Sequence, residues 1–203
     1  MPREGAVSAV ILAAGLSSRL GENKLLLKLG ERAVVQHVVD HLLHSRAAEV
    51  IVVAGHQWER VITLLDLNRV RLVVNPNYAR GQSTSLHEGV MAVNPASRAV
   101  LFALGDQPLI SAALVNRIIE TYHQVEEALI VAPRYQGRRG NPVLFDGSLK
   151  PELLTVEGDQ GARQLIEKHE GEIAYVEVES PAVFLDVDSP EDYERVLREH
   201  DRL

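Results

Sequence analysis

Three stretches of the chain place charged residues beside glycine or at the end of an apolar run. The first is Leu12-Ala13-Ala14-Gly15-Leu16-Ser17-Ser18-Arg19-Leu20-Gly21-Glu22-Asn23-Lys24. Small residues let a backbone approach phosphate oxygens, and successive amides can form an anion-binding nest. Arg19 and Lys24 add positive charge where a triphosphate would lie. Both G-x-G-x-x-G and G-K-[ST] are missing, so this is neither a dinucleotide fingerprint nor a Walker loop. On the residues alone, a tight surface turn with two solvated cations is the alternative.

The second stretch is Gly105-Asp106-Gln107-Pro108, directly after the apolar run 99–104. Magnesium favours one or two carboxylates together with phosphate oxygens and waters. Asp106, at the end of a strand, suits that task, although a turn or helix-capping aspartate has the same appearance. The third stretch is Phe184-Leu185-Asp186-Val187-Asp188-Ser189-Pro190-Glu191-Asp192. Asp186 and Asp188 alternate along an extended segment and should point the same way. Asp188 also lies just outside a Ser189 helix cap, which is its structural alternative.

The elements that must carry these residues follow from hydrophobic period. Short β-branched runs at 6–12, 50–54, 70–74, 99–104 and 129–131 read as strands. Helix-period segments fall at 34–44, 58–67 and 85–92, and from Ser111 to about Tyr122. In the segment 34–44, Val35, Val38, Val39, Leu42 and Leu43 share one face. Residues 134–142 read as a loop, followed by short strands and helices. Ser189-Pro190-Glu191-Asp192 opens the last helix, with Ser at the cap and Pro at the first helical position. The alternation predicts one three-layer α/β/α domain over residues 1–203, its sheet mainly parallel and its ligands beyond the strands' carboxyl ends.

Composition removes several function classes. The 203 residues could bury roughly 70% of their unfolded surface in one domain. A net charge of −7 argues against a nucleic-acid surface, which needs clustered Lys and Arg. With no cysteine, disulfides, Cys-based zinc sites and thiol nucleophiles are excluded. No segment approaches the ~18 apolar residues of a membrane span, and the apolar run near the N-terminus is too short for a signal peptide. The expectation is a soluble, cytoplasmic protein.

The glycine loop resembles the signature L-A-[AG]-G-x-S-x-R-[ML]-G-x-x-K of the nucleotidyltransferase superfamily with a glycosyltransferase-A-like (Rossmann-like) fold. Arg19, Gly21 and Lys24 fall in register, and Leu20 stands for the commoner Met. Gly-Asp-Gln-Pro is similar to the superfamily's G-D-[MQ]-P, whose Asp holds the metal. The segment from Asp186 is similar to D-[IV]-D-[TS]-P-E-D. Two further elements resemble the molybdenum cofactor cytidylyltransferase branch: Gly137-Arg138-Arg139-Gly140-Asn141-Pro142-Val143-Leu144-Phe145 and Gly158-Asp159-Gln160-Gly161-Ala162-Arg163. Gly81-Gln82-Ser83-Thr84-Ser85-Leu86 matches that family's G-x-x-[ST]-S-L beside the nucleobase. The resemblance runs over nearly the whole chain.

It implies a transfer of CMP from CTP to the phosphate of molybdopterin, giving molybdopterin cytosine dinucleotide and pyrophosphate. Leu12, Ala13, Ala14, Gly15, Arg19, Lys24, Gly81, Ser83, Ser85 and Asp106 would bind the nucleotide, with Arg19, Lys24 and Asp106 catalytic. Mg²⁺, with Mn²⁺ as a substitute, would sit on Asp106 and on Asp188 in preference to Asp186. Arg138, Gly140, Asn141, Pro142, Asp159, Gly161 and Arg163 would meet the acceptor, whose phosphate needs a cationic site of its own. Arg134 and Arg139 read as solvated loop residues or as further members of that site. Guanylyl-transferring relatives usually carry L-A-G-G, and a methyl at Ala14 could leave room for a pyrimidine while crowding a purine. A molybdoenzyme receiving the product is the implied partner. The rivals are guanylyl transfer to the same cofactor, cytidylyl transfer to a sugar or polyol phosphate, and a non-catalytic maturation chaperone.

Overall fold

The computed structural model describes residues 4–17, 20–159 and 161–202. Its strands, in chain order, are β1 (Val7–Ala13), β2 (Lys28–Leu29), β3 (Arg32–Ala33), β4 (Glu49–Ala54), β5 (Arg71–Val74), β6 (Ala99–Leu104), β7 (Ile130–Tyr135), β8 (Arg138–Arg139), β9 (Val143–Asp146) and β10 (Ile173–Glu177). The α-helices are α1 (Val34–Leu43), α2 (Trp58–Ile62), α3 (Gln82–Ala92), α4 (Ala112–Gln124), α5 (Lys150–Leu153), α6 (Arg163–Lys168) and α7 (Pro190–His200).

Among the described residues, eight strands form one sheet in the order β10-β7-β9-β6-β1-β4-β5, with β8 paired to β7. The β1, β4, β5 and β6 strands run parallel, as do β7 and β10. Their near-continuous apolar sequences follow from burial on both faces. Along β1, Ala9 and Ile11 pack with α1 and α4, while Val10 faces the opposite cluster containing Leu86 and Val90 of α3 and Ile166 of α6. The expected three layers are therefore present. A third, smaller cluster holds α7 through Val196 against Leu29 of the β2–β3 ribbon and against Leu185 and Val187.

Departures from expectation have local causes. The helix expected over 58–67 ends as α2 at Ile62. There Leu64 and Leu65 bond three residues back, and Asp66 accepts from the Asn68 amide at 3.0 Å. That Asp turn competes with helical pairing. The α3 helix begins at Gln82, one turn before the apolar period becomes visible. Residues 134–142 are not all loop: β7 runs to Tyr135, turns at Gln136 and Gly137, both at positive φ (49° and 78°), and returns as β8. Paired positive φ values suit a two-residue hairpin turn. β9 inserts antiparallel between β6 and β7, an orientation that apolar runs alone do not encode.

Candidate active site

The ends of β1 and β6 bring the first two charged stretches together. The Gly105 amide donates to Leu12 O at 2.9 Å. A Cβ on Gly105 would come within 3.2 Å of both Ala13 Cβ and Leu12 O. Glycine here lets the chain carrying Asp106 lie against the glycine loop. Within that loop, Ser17 adopts φ 54° and its hydroxyl accepts from the Lys24 amide at 3.1 Å. Asn23 is buried; its side chain accepts from Leu25 N at 3.1 Å and donates to His56 O at 3.3 Å. That second bond ties the turn bearing Lys24 to the segment following β4. Asn23 falls at an unspecified position of the loop signature, so its residue type carries no signal there.

The third stretch arrives through its backbone. The amide of Val187 donates to Asp106 O at 3.0 Å, while the Val187 side chain is fully buried beside α7. With Val187 turned inward, Asp186 and Asp188 both line the cavity that Asp106 faces, as alternation along an extended segment requires. Ser189 then caps α7, accepting from the Asp192 amide at 3.2 Å and donating to the Asp192 carboxylate at 2.7 Å. Asp106, Asp186 and Asp188 each offer an oxygen, all within 4.8 Å of one another. Three converging carboxylates fit a hard divalent cation, which takes oxygen ligands.

Lys24 shares that space. Its Nζ lies 2.5 Å from Asp106 Oδ2 and 2.5 Å from Asp188 Oδ1. The side chains of Lys24 and Asp106 are each only 14% exposed. Burial alone would lower the Lys24 pKa, but attraction from Asp106 and Asp188 outweighs it and holds the ammonium above its usual value. Asp186 moves the same way for the opposite reason: burial, then the charge of Asp106, raises its carboxyl above the ordinary aspartate range.

The cavity, of about 480 Å³, is lined by Leu12, Ala13, Ala14, Gly15, Lys24, Gly81, Ser85, Asp106 and Asp188 from the expected nucleotide and metal sets. Arg19 lies outside the described residues. Ser83 does not line the cavity; it is buried and its amide donates to Gly158 O at 3.1 Å. Asp159, expected at the acceptor, lines this same cavity, and its carboxylate accepts from the Gln82 amide at 3.2 Å at the start of α3. Buried Asn75 braces the first turn of α3 by donating to Thr84 Oγ1 at 2.8 Å and Ser85 Oγ at 2.9 Å. Tyr78 and Gln82, outside the expected site residues, also line this cavity.

A second cavity of about 240 Å³ adjoins the first, sharing Leu12, Gln82 and Leu104 with it. Of the residues expected at the acceptor, it contains Asn141, Gly161 and Arg163. Arg138, Gly140 and Pro142 are not in its lining, and Arg139 is. Gly140 serves packing: a Cβ there would lie 2.6 Å from Val183 Cβ. Arg134 is held by Glu177 at 2.5 Å and lies 4.4 Å from the Tyr175 ring centroid, on the outer strands.

This arrangement is a nucleotide-sized cleft at the carboxyl edge of a parallel sheet, with an acidic cluster and a lysine at its centre. Residues 9–173 match the model of the MobA-like NTP transferase domain. The chain is 31% identical over 198 residues to a nicotine blue oxidoreductase of Paenarthrobacter nicotinovorans, covering 94% of this chain and 96% of that one. It is 24% identical over 189 residues to the molybdenum cofactor cytidylyltransferase of Escherichia coli K12, covering 93% and 94%. A manganese complex of Rv0371C from Mycobacterium tuberculosis superimposes with a TM-score of 0.81 at 27% identity, covering 95% and 98%. The chain belongs to the MobA-like NTP transferase family and is a nucleotidyltransferase of that family. Among the described residues, no helix is long and apolar enough to cross a membrane.

Proposed function

We propose that the protein transfers CMP from CTP to the phosphate of molybdopterin, releasing pyrophosphate. The observation that carries this reading is the meeting of Asp106, Asp186 and Asp188 with Lys24 beneath the glycine loop. Asp106 and Asp188 would hold Mg²⁺, or Mn²⁺ in its place, with Asp186 near enough to assist. Bound there, the cation would neutralise phosphate charge and polarise the phosphorus under attack.

The chain's own residues supply the rest. Amides of the glycine loop cradle the triphosphate, and Lys24 with Arg19 compensates charge on the departing pyrophosphate. The acceptor phosphate is already ionised near neutral pH, with a second pKa of about 6, so no general base is required. Positioning and charge neutralisation then carry the catalysis.

Cytosine is favoured at the base by Ala14. A Cβ on Gly55 would fall 2.8 Å from Ala14 Cβ and 2.6 Å from Tyr78 Cβ, so the wall behind Ala14 has no slack. A methyl held in that place would crowd a purine more than a pyrimidine. The molybdopterin acceptor is supported by the adjoining second cavity and by the likeness to the cytidylyltransferase. A cytoplasmic molybdoenzyme would receive the product. The test is a nucleotide panel with molybdenum-loaded and metal-free molybdopterin, scored by pyrophosphate. CTP should exceed GTP, and a preference for GTP would reverse the base assignment.

A further inference from the structure

The α6 helix forms one wall of the second cavity through Arg163 and Ile166, with Gly161 and Ala162 leading into it. Its six residues make fewer than two turns, too few to hold a helix without tertiary support. The N-cap is Ala162, whose methyl cannot bond a first-turn amide. What fixes α6 is the packing of Leu165 and Ile166 and the far end of the helix, where His169 is the C-cap.

The His169 ring reaches two other segments. Its Nδ1 lies 2.6 Å from Glu172 Oε2 and its Nε2 3.2 Å from Glu152 Oε2. A carboxylate accepts hydrogen bonds and does not donate them, so both ring nitrogens carry protons here and the ring is an imidazolium. Glu152 belongs to α5, whose Leu153 is fully buried. Glu172 directly precedes β10, and its carbonyl accepts from the Leu129 amide at 2.9 Å. His169 therefore ties the end of α6 to α5 on one side and to the sheet on the other. A cation at a helix C-terminus also suits the helix dipole.

The bond to Glu172 is the largest influence on the ring and, joined by Glu152, outweighs burial, so the His169 pKa is raised above its ordinary 6.5. Lys168 bonds the same Glu152 oxygen at 2.7 Å, and bonds from Lys168 and His169 hold the Glu152 carboxyl below its ordinary range. Further along α6, Arg163 and Glu167 pair with each other at 3.1 Å. As pH rises, Nε2 is the atom that gives up its proton, because its bond is the longer and Glu152 keeps Lys168. A lone pair then faces the Glu152 carboxylate, and α6 loses its tie to α5. The folded pKa stands above the unfolded one, so this contribution is complete below pH 6.5 and is lost as pH rises through the folded value.

We propose that His169 is a positioning residue for the second cavity. As an imidazolium it holds the α6 wall in place; as a neutral ring it lets that wall slacken, so the cavity binds its ligand less well in mildly alkaline solution. The nucleotide cavity, which α6 does not line, keeps its affinity. Only the identity of the ligand, molybdopterin, rests on the transfer reading.

Metal-free molybdopterin is titrated by fluorescence into the full chain, without nucleotide, across roughly pH 6 to 8.5, beside CTP affinity and melting curves. The ligand's own phosphate titrates near pH 6, so the parent is always compared with a variant at the same pH. His169→Arg keeps a permanent cation; the parent should match it in mild acid and fall below it by roughly fivefold in mild alkali. His169→Gln has no cation and should bind as the alkaline parent does at every pH. The parent-to-His169→Gln ratio, roughly fivefold in acid and falling to unity, carries the same reading if His169→Arg does not fold. A ratio that ignores pH, parent-like binding by His169→Gln in acid, or CTP affinity that follows the same curve would each overturn the proposal. A readout without any ligand is the pH course of the Arg163 and Ile166 amide signals in NMR spectra. They should move with the His169 ring in the parent, and amides that stay still would overturn the proposal too. If the amides follow the ring but the chain neither binds molybdopterin nor releases pyrophosphate from CTP, the transfer reading fails and the positioning role stands. If pyrophosphate is released while binding and amides ignore His169, the positioning role alone fails.

Discussion

Lys24 and Asp188, 164 positions apart in the chain, meet at 2.5 Å, and the same ammonium reaches Asp106 at 2.5 Å. One side-chain cation thus bridges the two carboxylates proposed to hold the metal. A divalent ion in that position and the Lys24 ammonium repel each other, so metal entry should drive the lysine toward the glycine loop and the triphosphate. Lys24→Met should therefore bind Mn²⁺ more tightly than the parent without nucleotide, by roughly tenfold. Calorimetric titration reads this directly, and an unchanged or weaker affinity would separate Lys24 from the metal.

The kinetic role of Lys24 is a second, independent matter. Charge builds on pyrophosphate as it departs, so the lysine should matter more in the transition state than in the ground state. Lys24→Ala should lower the maximal rate at saturating CTP and not merely raise KM. Arg19→Lys should also be slow if the guanidinium grips two oxygens at once. Variants that reach the parent maximal rate at higher CTP would make the loop a binding cradle alone.

Gly81 joins the glycine-rich 158–161 segment to the start of α3. It holds φ 118°, and a Cβ there would lie 2.9 Å from both Asp159 Oδ1 and Gly158 O. Gly81→Ala combines backbone strain with a backbone clash and should cost more than about 1 kcal/mol. CTP affinity should fall with it, because the residue lines the nucleotide cavity. Urea unfolding and CTP titration check both effects; a variant as stable as the parent would remove the close contact from the account.

His41 gives the fold an acid sensitivity away from the site. Burial, then the charge of His37, lowers its pKa below the ordinary 6.5, with His44 and His200 acting in the same sense and Asp40 against them. The unfolded chain then binds a proton more readily than the folded one. Stability is full above the unfolded value and is lost as pH falls from about 6.5 through the folded pKa. His41→Gln should lose less stability than the parent between neutral and mildly acid pH, measured by thermal melts at each pH. Equal losses would assign the acid sensitivity to other groups.

Much of the architecture was legible because buried parallel strands and amphipathic helices write their periods into sequence. The 99–104 strand and the apolar face of α1 were read with little or no error. Asp186 and Asp188 were correctly expected to share a direction, since alternation is local geometry. What escaped was non-local. The antiparallel insertion of β9 depends on which strands it pairs with, and nothing in Val143–Asp146 encodes that. Arg138 was named for the acceptor, while Arg139 is the one that lines the second cavity; which of two adjacent strand residues does so depends on the register of β8 against β7. Asn23 and Asn75 do their work through bonds to distant segments, and a signature written as residue types does not show them.

The central claim is that the carboxylates beneath the glycine loop carry nucleotidyl transfer, and pyrophosphate release tests it most directly. The parent chain, mixed with CTP, Mg²⁺ and molybdopterin, should release pyrophosphate. Asp106→Ala should still fold, giving a cooperative melting curve, because Lys24 keeps Asp188 as its partner. Its rate should fall by at least the ~3–4 kcal/mol assigned to one electrostatic stabiliser, a loss of two orders of magnitude or more. Near-parent release by a folded, metal-saturated Asp106→Ala protein, or no release by the parent with any nucleotide, would contradict the account.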